Sequence, residues 1–250
     1  MLILEPGESG TRLPRADRRW EHVKKVLRKK AGDRVSAGLA VDAPSGPAPG
    51  SVGEAVVREL DEGGIVLDFE PFAGPAGEPA ELAPLLLLLG FPRPIQANRI
   101  LKDLASLGIA EIRLVLTELG EKSYAESDFF RERRFRAPLL EGAEQAANPR
   151  LPAVSTHWTL ARCLEGLRPA AGASRILLHP YGASRPLGSF DRITPPVTLA
   201  VGSERGWTEA ELGVLRSAGF EAAALGSRIL KSETAALAAS SIVLAKLGLL

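Results

Sequence analysis

Short apolar runs bounded by glycine, proline or aspartate fill the first third of the chain. Val35 to Val41, Glu54 to Leu60 and Gly64 to Phe69 carry Val, Leu and Ile in blocks too short for helices and read as strands of a small barrel. A basic helix, Asp17 to Lys30, is expected before them. Of two breaker-rich stretches, Asp42 to Gly53 sits inside the strand run, whereas Pro71 to Pro84 separates it from a different pattern. Proline and glycine there suit an interdomain linker, which predicts a β-rich module over 1–72, a linker over 73–84 and a second domain over 85–250.

Beyond the linker, apolar strands alternate with helical segments. Leu85 to Phe91, Ile112 to Leu116, Arg175 to His179, Val197 to Gly202 and Ala222 to Leu225 are the expected strands of an α/β fold with a mostly parallel sheet. Pro94 suits a first helical position and Gly108 a C-terminal cap, framing Ile95 to Leu107 with Ile100, Leu101, Leu104 and Leu107 on one face. Thr208 with Glu211 forms a capping box, Trp207 can staple onto Leu212, and Gly219 closes that helix. The last helix, Glu233 to Lys246, is apolar on most sides, as suits burial against the sheet or another subunit.

Composition adds that 45% of the 250 residues are hydrophobic and 24% charged, the balance of a soluble globular protein with a sizeable core. Cys163 has no partner for a disulfide, and His22, His157 and His179 are too dispersed for a structural zinc site. A reducing, cytoplasmic setting without metal is therefore expected, and the first residues lack the pattern of a signal peptide. Charge is unevenly spread. Between Arg12 and Arg34 ten basic residues face three acidic ones, giving that segment +7 and the rest −6. Such clustering suits contact with a phosphate backbone, and equally a solvated helix face.

Nucleophilic triads, a GxxxxGK[ST] loop and a GxGxxG turn are absent, which removes the commonest hydrolase, nucleotide-hydrolase and Rossmann readings. Glycine-bearing loops remain after three expected strands: His179 to Gly182, Gly202 to Gly206 and Leu225 to Ala235. Open α/β sheets bind ligands at the carboxyl ends of their strands. Gly202, Gly206 and Gly226 allow close backbone approach or positive φ, though each alone fits an ordinary turn. Arg228, Lys231 and Glu233 lie just before the final helix, where charge can meet a phosphate or a base, or simply solvate the helix end.

The stretch Leu225 to Ala235 resembles the Leu-Gly-x-Arg-Ile-Leu-Arg-x-Glu-Thr-Ala signature of bacterial 16S ribosomal RNA uridine N3-methyltransferases, with Lys231 the one departure. Val26-Leu27-Arg28 followed by Gly32-Asp33 is similar to a segment of that family's N-terminal PUA-like domain, and Glu144-Gln145, Pro152-Ala153-Val154 and Leu178-His179-Pro180 match further family positions. Departures are Gly202-Ser203-Glu204-Arg205-Gly206 for the family's Gly-Pro-Glu-Gly-Gly, fewer charges over Pro94 to Arg99, and Lys122-Ser123 for an Arg-Ser pair. The resemblance implies a SPOUT-type parallel sheet with a C-terminal trefoil knot, preceded by a small PUA-like β-barrel, and a homodimer formed through the knot domain. It implies S-adenosyl-L-methionine as cofactor, without metal, held among Leu178, His179, Gly202, Glu204, Gly206, Leu225, Gly226, Ile229 and Leu230. Catalytic candidates are Arg228 and Glu233, the latter as a base or merely as a helix-capping group. Arg12, Lys24, Arg28, Lys29, Lys122 and Lys231 are the candidate contacts to 16S ribosomal RNA in the assembled small subunit. Positioning uracil N3 in line with the methyl group would supply much of the catalysis. An RNA-binding protein of the same fold that does not methylate stays open, because Arg205 puts a bulky cation into the cofactor loop.

Overall fold

In the computed structural model, residues 1–43, 48, 50–167, 172–181 and 185–250 are described. Contacts divide the chain into two units, Met1–Glu81 with Leu140–Leu151, and Leu82–Leu139 with Pro152–Leu250.

The first unit contains β1 (Leu2–Leu4), β2 (Arg12–Pro14), α1 (Arg18–Glu21), β3 (Arg34–Leu39), β4 (Val41–Asp42), β5 (Val52–Asp61) and β6 (Gly64–Pro71). Five of the strands form one sheet in the order β1-β3-β5-β6-β2, with β1 parallel to β3 and the other pairs antiparallel. Alternation along β5 buries Gly53, Ala55 and Val57, and the last two join Leu4, Val35, Ile65, Leu67 and Trp20 to make one core. Neither β1 nor β2 was expected from the sequence, since three residues are too few for alternation to register.

The basic helix is shorter than the Asp17 to Lys30 expected. Asp17 caps α1 by accepting from the Arg19 amide at 2.8 Å. His22–Val26 then continue as a π-turn, with the Leu27 amide donating to the His22 carbonyl, and Arg28 breaks it at φ 54°. Arg19 is buried in an ion cluster, 2.6 Å from Glu8 and 2.8 Å from Asp17. The expected strand Val35 to Val41 splits at Ala40: its amide donates to Leu4, while that of Val41 donates to Pro149, so that β4 pairs with β9 (Arg150–Leu151). Residues 140–151, which the sequence boundary assigned to the second domain, pack in this unit. Glu144 accepts from the Ile3 amide at 3.1 Å and ion-pairs with Arg18, and Arg150 reaches Glu81 at 2.9 Å.

The second unit runs β7 (Ala83–Gly90), α2 (Pro94–Ser106), β8 (Ile109–Val115), α3 (Lys122–Ala125), α4 (Asp128–Arg131), then α5 (Arg136–Gln145), which crosses into the first unit. It resumes with β10 (Ala153–His157), α6 (Leu160–Leu164), β11 (Arg175–Leu178), β12 (Arg185–Pro186), β13 (Val197–Val201), α7 (Glu209–Ser217), β14 (Glu221–Ala224) and α8 (Ser232–Lys246). Seven strands form a wholly parallel sheet in the order β10-β8-β7-β13-β11-β14-β12. The leucine run of β7 and all of β13 are near-continuously apolar because both faces are covered, in part by α8. The capping box at Thr208 and Glu211 forms as expected, and Trp207 shares a core with Leu212. Among the described residues no helix is long and apolar enough to cross a membrane. Because every strand points the same way, Gly90, Val115, His157, Leu178, Val201 and Ala224 all end at one edge of the sheet.

Candidate functional site

Three loops at this edge, following β11, β13 and β14, enclose a cavity of about 380 Å³. After β11, the His179 amide donates to the Ala223 carbonyl at 3.0 Å, which holds the strand end against β14. After β13 the chain turns sharply. The Gly206 amide donates to Ser203, Gly206 adopts φ 76°, and the Thr117 hydroxyl lies 3.1 Å from that of Ser203. A Cβ on Gly90 would lie 2.3 Å from the Ser203 nitrogen, so the end of β7 abuts the backbone of this loop directly. After β14, Gly226 takes φ 114° with nothing within 4 Å of where a side chain would begin.

All nine residues expected to hold a cofactor line the cavity: Leu178, His179, Gly202, Glu204, Gly206, Leu225, Gly226, Ile229 and Leu230. Arg228 lines it as well, and so does Arg205. Glu233 does not. In the first turn of α8, it lines a separate cavity with Gln96 and Arg99 of α2. Lys231 is exposed at the N-cap of α8, and Lys122 lies at the start of α3, ion-paired with Glu126 at 3.3 Å. Burial holds the His179 imidazole below its ordinary range, with Glu209 pulling the other way, so the ring is mostly neutral at pH 7. The Cys163 thiol is pushed up to about 12 by burial, which removes it as a nucleophile.

Two residues that line the cavity were not assigned to it from sequence. The Trp207 Nε1 and the Ser232 Oγ are both buried without a hydrogen-bond partner among the described residues. Unpaired buried polar atoms are rare in folded proteins; these two belong to residues of the cavity wall but are themselves sealed from water. The sequence signalled Trp207 only as a helix staple, since nothing in a sequence says where an indole N–H is aimed. Arg93 was also missed. Its guanidinium donates to the Tyr124 hydroxyl at 3.2 Å, and that bond, with a smaller contribution from Glu204, raises its pKa.

In the first unit the basic cluster is largely neutralised. Arg12 pairs with Glu59 and Asp61, Arg15 and Lys24 with Glu62, Lys25 with Glu21, and Arg34 with Glu54 and Glu70. Arg18 and Arg19 are paired as described above. Of the ten cations between Arg12 and Arg34, only Arg28, Lys29 and Lys30 have no carboxylate partner among the described residues. They follow the exposed Val26 and Leu27 at the end of the π-turn.

A model of the RNA methyltransferase domain matches residues 78–244. Ribosomal RNA small subunit methyltransferase E of Treponema pallidum is 37% identical over 232 residues, which are 92% of this chain and 83% of that protein. The chain belongs to this methyltransferase E family. A second member, ribosomal RNA small subunit methyltransferase E 1 of Borreliella burgdorferi, is 30% identical over 99% of this chain and 98% of its own length. The methyltransferase E of Neisseria gonorrhoeae, solved bound to S-adenosyl methionine, superposes with a TM-score of 0.73 at 22% identity, covering 98% of this chain and 96% of that one. A putative methyltransferase of Legionella pneumophila, solved with the same cofactor, gives 0.72 at 21% identity, covering 98% and 97%. The fold of the methyltransferase E family thus extends over both units. The resemblance read from Leu225 to Ala235 had led to the same family.

Proposed function

We propose that this chain transfers the methyl group of S-adenosyl-L-methionine to N3 of a uridine in 16S ribosomal RNA. The observation that carries this reading is the cavity itself. It is built from the expected strand-end loops, whose backbone can meet the adenine and ribose of an adenosyl group, and Trp207 and Ser232 are among its lining residues. Gly226 leaves the room that a Cβ would occupy, and Leu178, Leu225, Ile229 and Leu230 supply apolar wall. The two cofactor-bound relatives of the same fold support the choice of ligand.

When bound, the sulfonium supplies an already activated methyl electrophile. The chain then has to hold the uracil, exclude water and take the N3 proton. In this reading Arg228, which lines the cavity, polarises a uracil carbonyl and stabilises the charge left on the ring. Proton acceptance falls to groups that line the cavity, His179 in its neutral form or Glu204, rather than to Glu233. Arg28, Lys29 and Lys30, without a carboxylate partner among the described residues, are the cations of the Arg12 to Arg34 segment available for RNA phosphate in a PUA-like first domain. A C-terminal knot and dimerisation through the second domain belong to the same reading.

Calorimetric titration with S-adenosylmethionine and with its demethylated product, followed by methyl transfer to small subunits from a strain lacking the modification, tests the proposal. Gly226→Val should abolish donor binding at a cost to folding of only about 1–3 kcal/mol, since strain there is confined to a loop. Folded protein that binds no donor would favour the non-methylating reading, with Arg205 as the obstruction.

A further inference from the structure

We propose a second RNA site on the same sheet edge, where another base of the substrate stacks on Trp158 while Arg131 and Arg133 hold its phosphates. This rests on the RNA methyltransferase reading and names where that substrate docks. A cavity of about 430 Å³ opens at the carboxyl ends of β7 and β10. Phe91, Phe130 and Phe135 form its buried floor, with Phe91 and Phe130 edge to face at 4.9 Å. Trp158, one residue past the edge strand β10, lines it with 55% of its surface exposed. An indole left open beside cations is the platform on which unpaired bases stack.

Charge in this cavity is of one sign. None of the residues that line it carries a carboxylate, whereas the cofactor cavity has Glu204 and Glu209. Arg133 holds a left-handed backbone, φ 53°, with its guanidinium 5.9 Å above the Phe135 ring and no carboxylate partner among the described residues. Backbone strain at a non-glycine residue persists where the surroundings impose it, and it concentrates at ligand clamps. Arg131 has only a loose contact with Asp128, at 3.9 Å. The His157 Nε2 and the Ser155 hydroxyl, 2.9 Å apart, add hydrogen-bonding capacity on the β10 side.

Position ties this cavity to the first. Gly90 abuts Ser203, a residue of the cofactor cavity, and the very next residue, Phe91, lines the second. Arg93, close enough to Glu204 for its charge to be felt, stands two residues further on. A single strand of RNA laid along the edge would place one base over the cofactor cavity, splayed from its stack, and another, beyond the β7 and β8 strands that separate the two cavities, on Trp158.

The full chain, titrated against small subunits lacking the modification, gives two readouts: cosedimentation for binding and labelled methyl for transfer. Trp158→Ala and the double variant Arg131→Ala with Arg133→Ala should each weaken subunit binding about tenfold or more, and Trp158→Phe should restore most of it. Donor affinity should remain that of the parent chain, which also reports folding. Unchanged subunit affinity in both variants overturns the site even when methylation is normal, as does a parent chain that binds no subunits. Binding that Trp158→Ala weakens, with no methyl transfer by the parent chain, sustains the site and refutes the catalytic reading. Displacement by an acidic peptide but not by oligouridylate would assign the cavity to a protein and overturn the proposal.

Discussion

Gly90 carries a prediction that can be worked from distances. It ends β7, is registered against Val115 of β8, and follows Leu89, which is registered against Val201 of β13. An alanine there would place its Cβ 2.3 Å from the Ser203 nitrogen and 2.8 Å from the Gly202 carbonyl carbon. Carbon contacts settle at roughly 3.5–4.0 Å, so about 1 Å of movement is required, and only backbone is available to move. With β7 paired on both sides and Leu87, Leu88 and Leu89 fully buried, the loop from Gly202 to Gly206 must give way. Overpacking of this kind costs about 1–3 kcal/mol, which in a unit of this size lowers Tm by roughly 3–10 °C. Displacing the loop by about 1 Å should also weaken donor binding at least tenfold, and methyl transfer by about a hundredfold. Thermal melts and calorimetry of Gly90→Ala read both effects. Gly213→Ala, on α7 with nothing within 4 Å, controls for loss of glycine alone. A Gly90→Ala protein that melts and binds donor like its parent would refute the claim that β7 braces the loop.

Trp207→Phe keeps most of the ring but removes the orphaned N–H, so stability should hold or rise slightly while donor affinity falls about fivefold, by calorimetry; equal affinity would mean that Nε1 meets no ligand. Glu233→Gln should leave kcat for methyl transfer nearly unchanged because the residue faces the α2–α8 cavity; a drop of about a hundredfold would return it to the role of base. Burial alone would raise the carboxyl pKa values of Glu8 and Asp17, but hydrogen bonds from Arg19 outweigh it and hold both below the ordinary 4.5 and 3.8. The stability they contribute is therefore present above those unfolded-state values and lost as pH falls through the lower folded ones, which hydrogen exchange in β1 and α1 at pH 7 and in acid should register. Arg19→Met should cost about 2–3 kcal/mol at pH 7, less than for a fully buried pair because Glu8 keeps some solvent, and should flatten that dependence; an unaltered pH slope would rule the cluster out as its source.

Local chemistry was legible where it was local. Pro94, Gly108, Thr208, Glu211 and the leucine run of β7 announced their elements because capping and burial act within a few residues. The loop at Leu225 to Ala235 was legible through a contiguous signature, and its meeting with Gly202 and Leu178 around one cavity follows from a parallel sheet. Long-range pairing was not legible. The net charge of the Arg12 to Arg34 segment suggested an open cationic surface, yet Arg12 finds its acids at 59 and 61 and Arg18 at 144, distances in sequence that no window spans. The direction of Glu233 was not legible for a different reason: a motif fixes sequence position, and a helix face decides that this residue lines the α2–α8 cavity. Gly90 and Trp158 had no signal, because one acts through a loop 113 residues later and the other through exposure that only the folded edge reveals.

The return of residues 140–151 to the first unit also sets an order of synthesis. When Glu81 leaves the ribosome, β4 has no β9 beside it, and neither the Ile3 amide nor Arg18 has its Glu144. A nascent first unit must wait for residue 151, a delay of roughly 4–14 s at bacterial rates of about 5–20 residues per second, while much of the second unit's chain is still unmade. A gene fragment cut at the apparent linker would therefore yield a module with an unfinished edge. Any recombinant piece of the first unit has to carry the later segment with it.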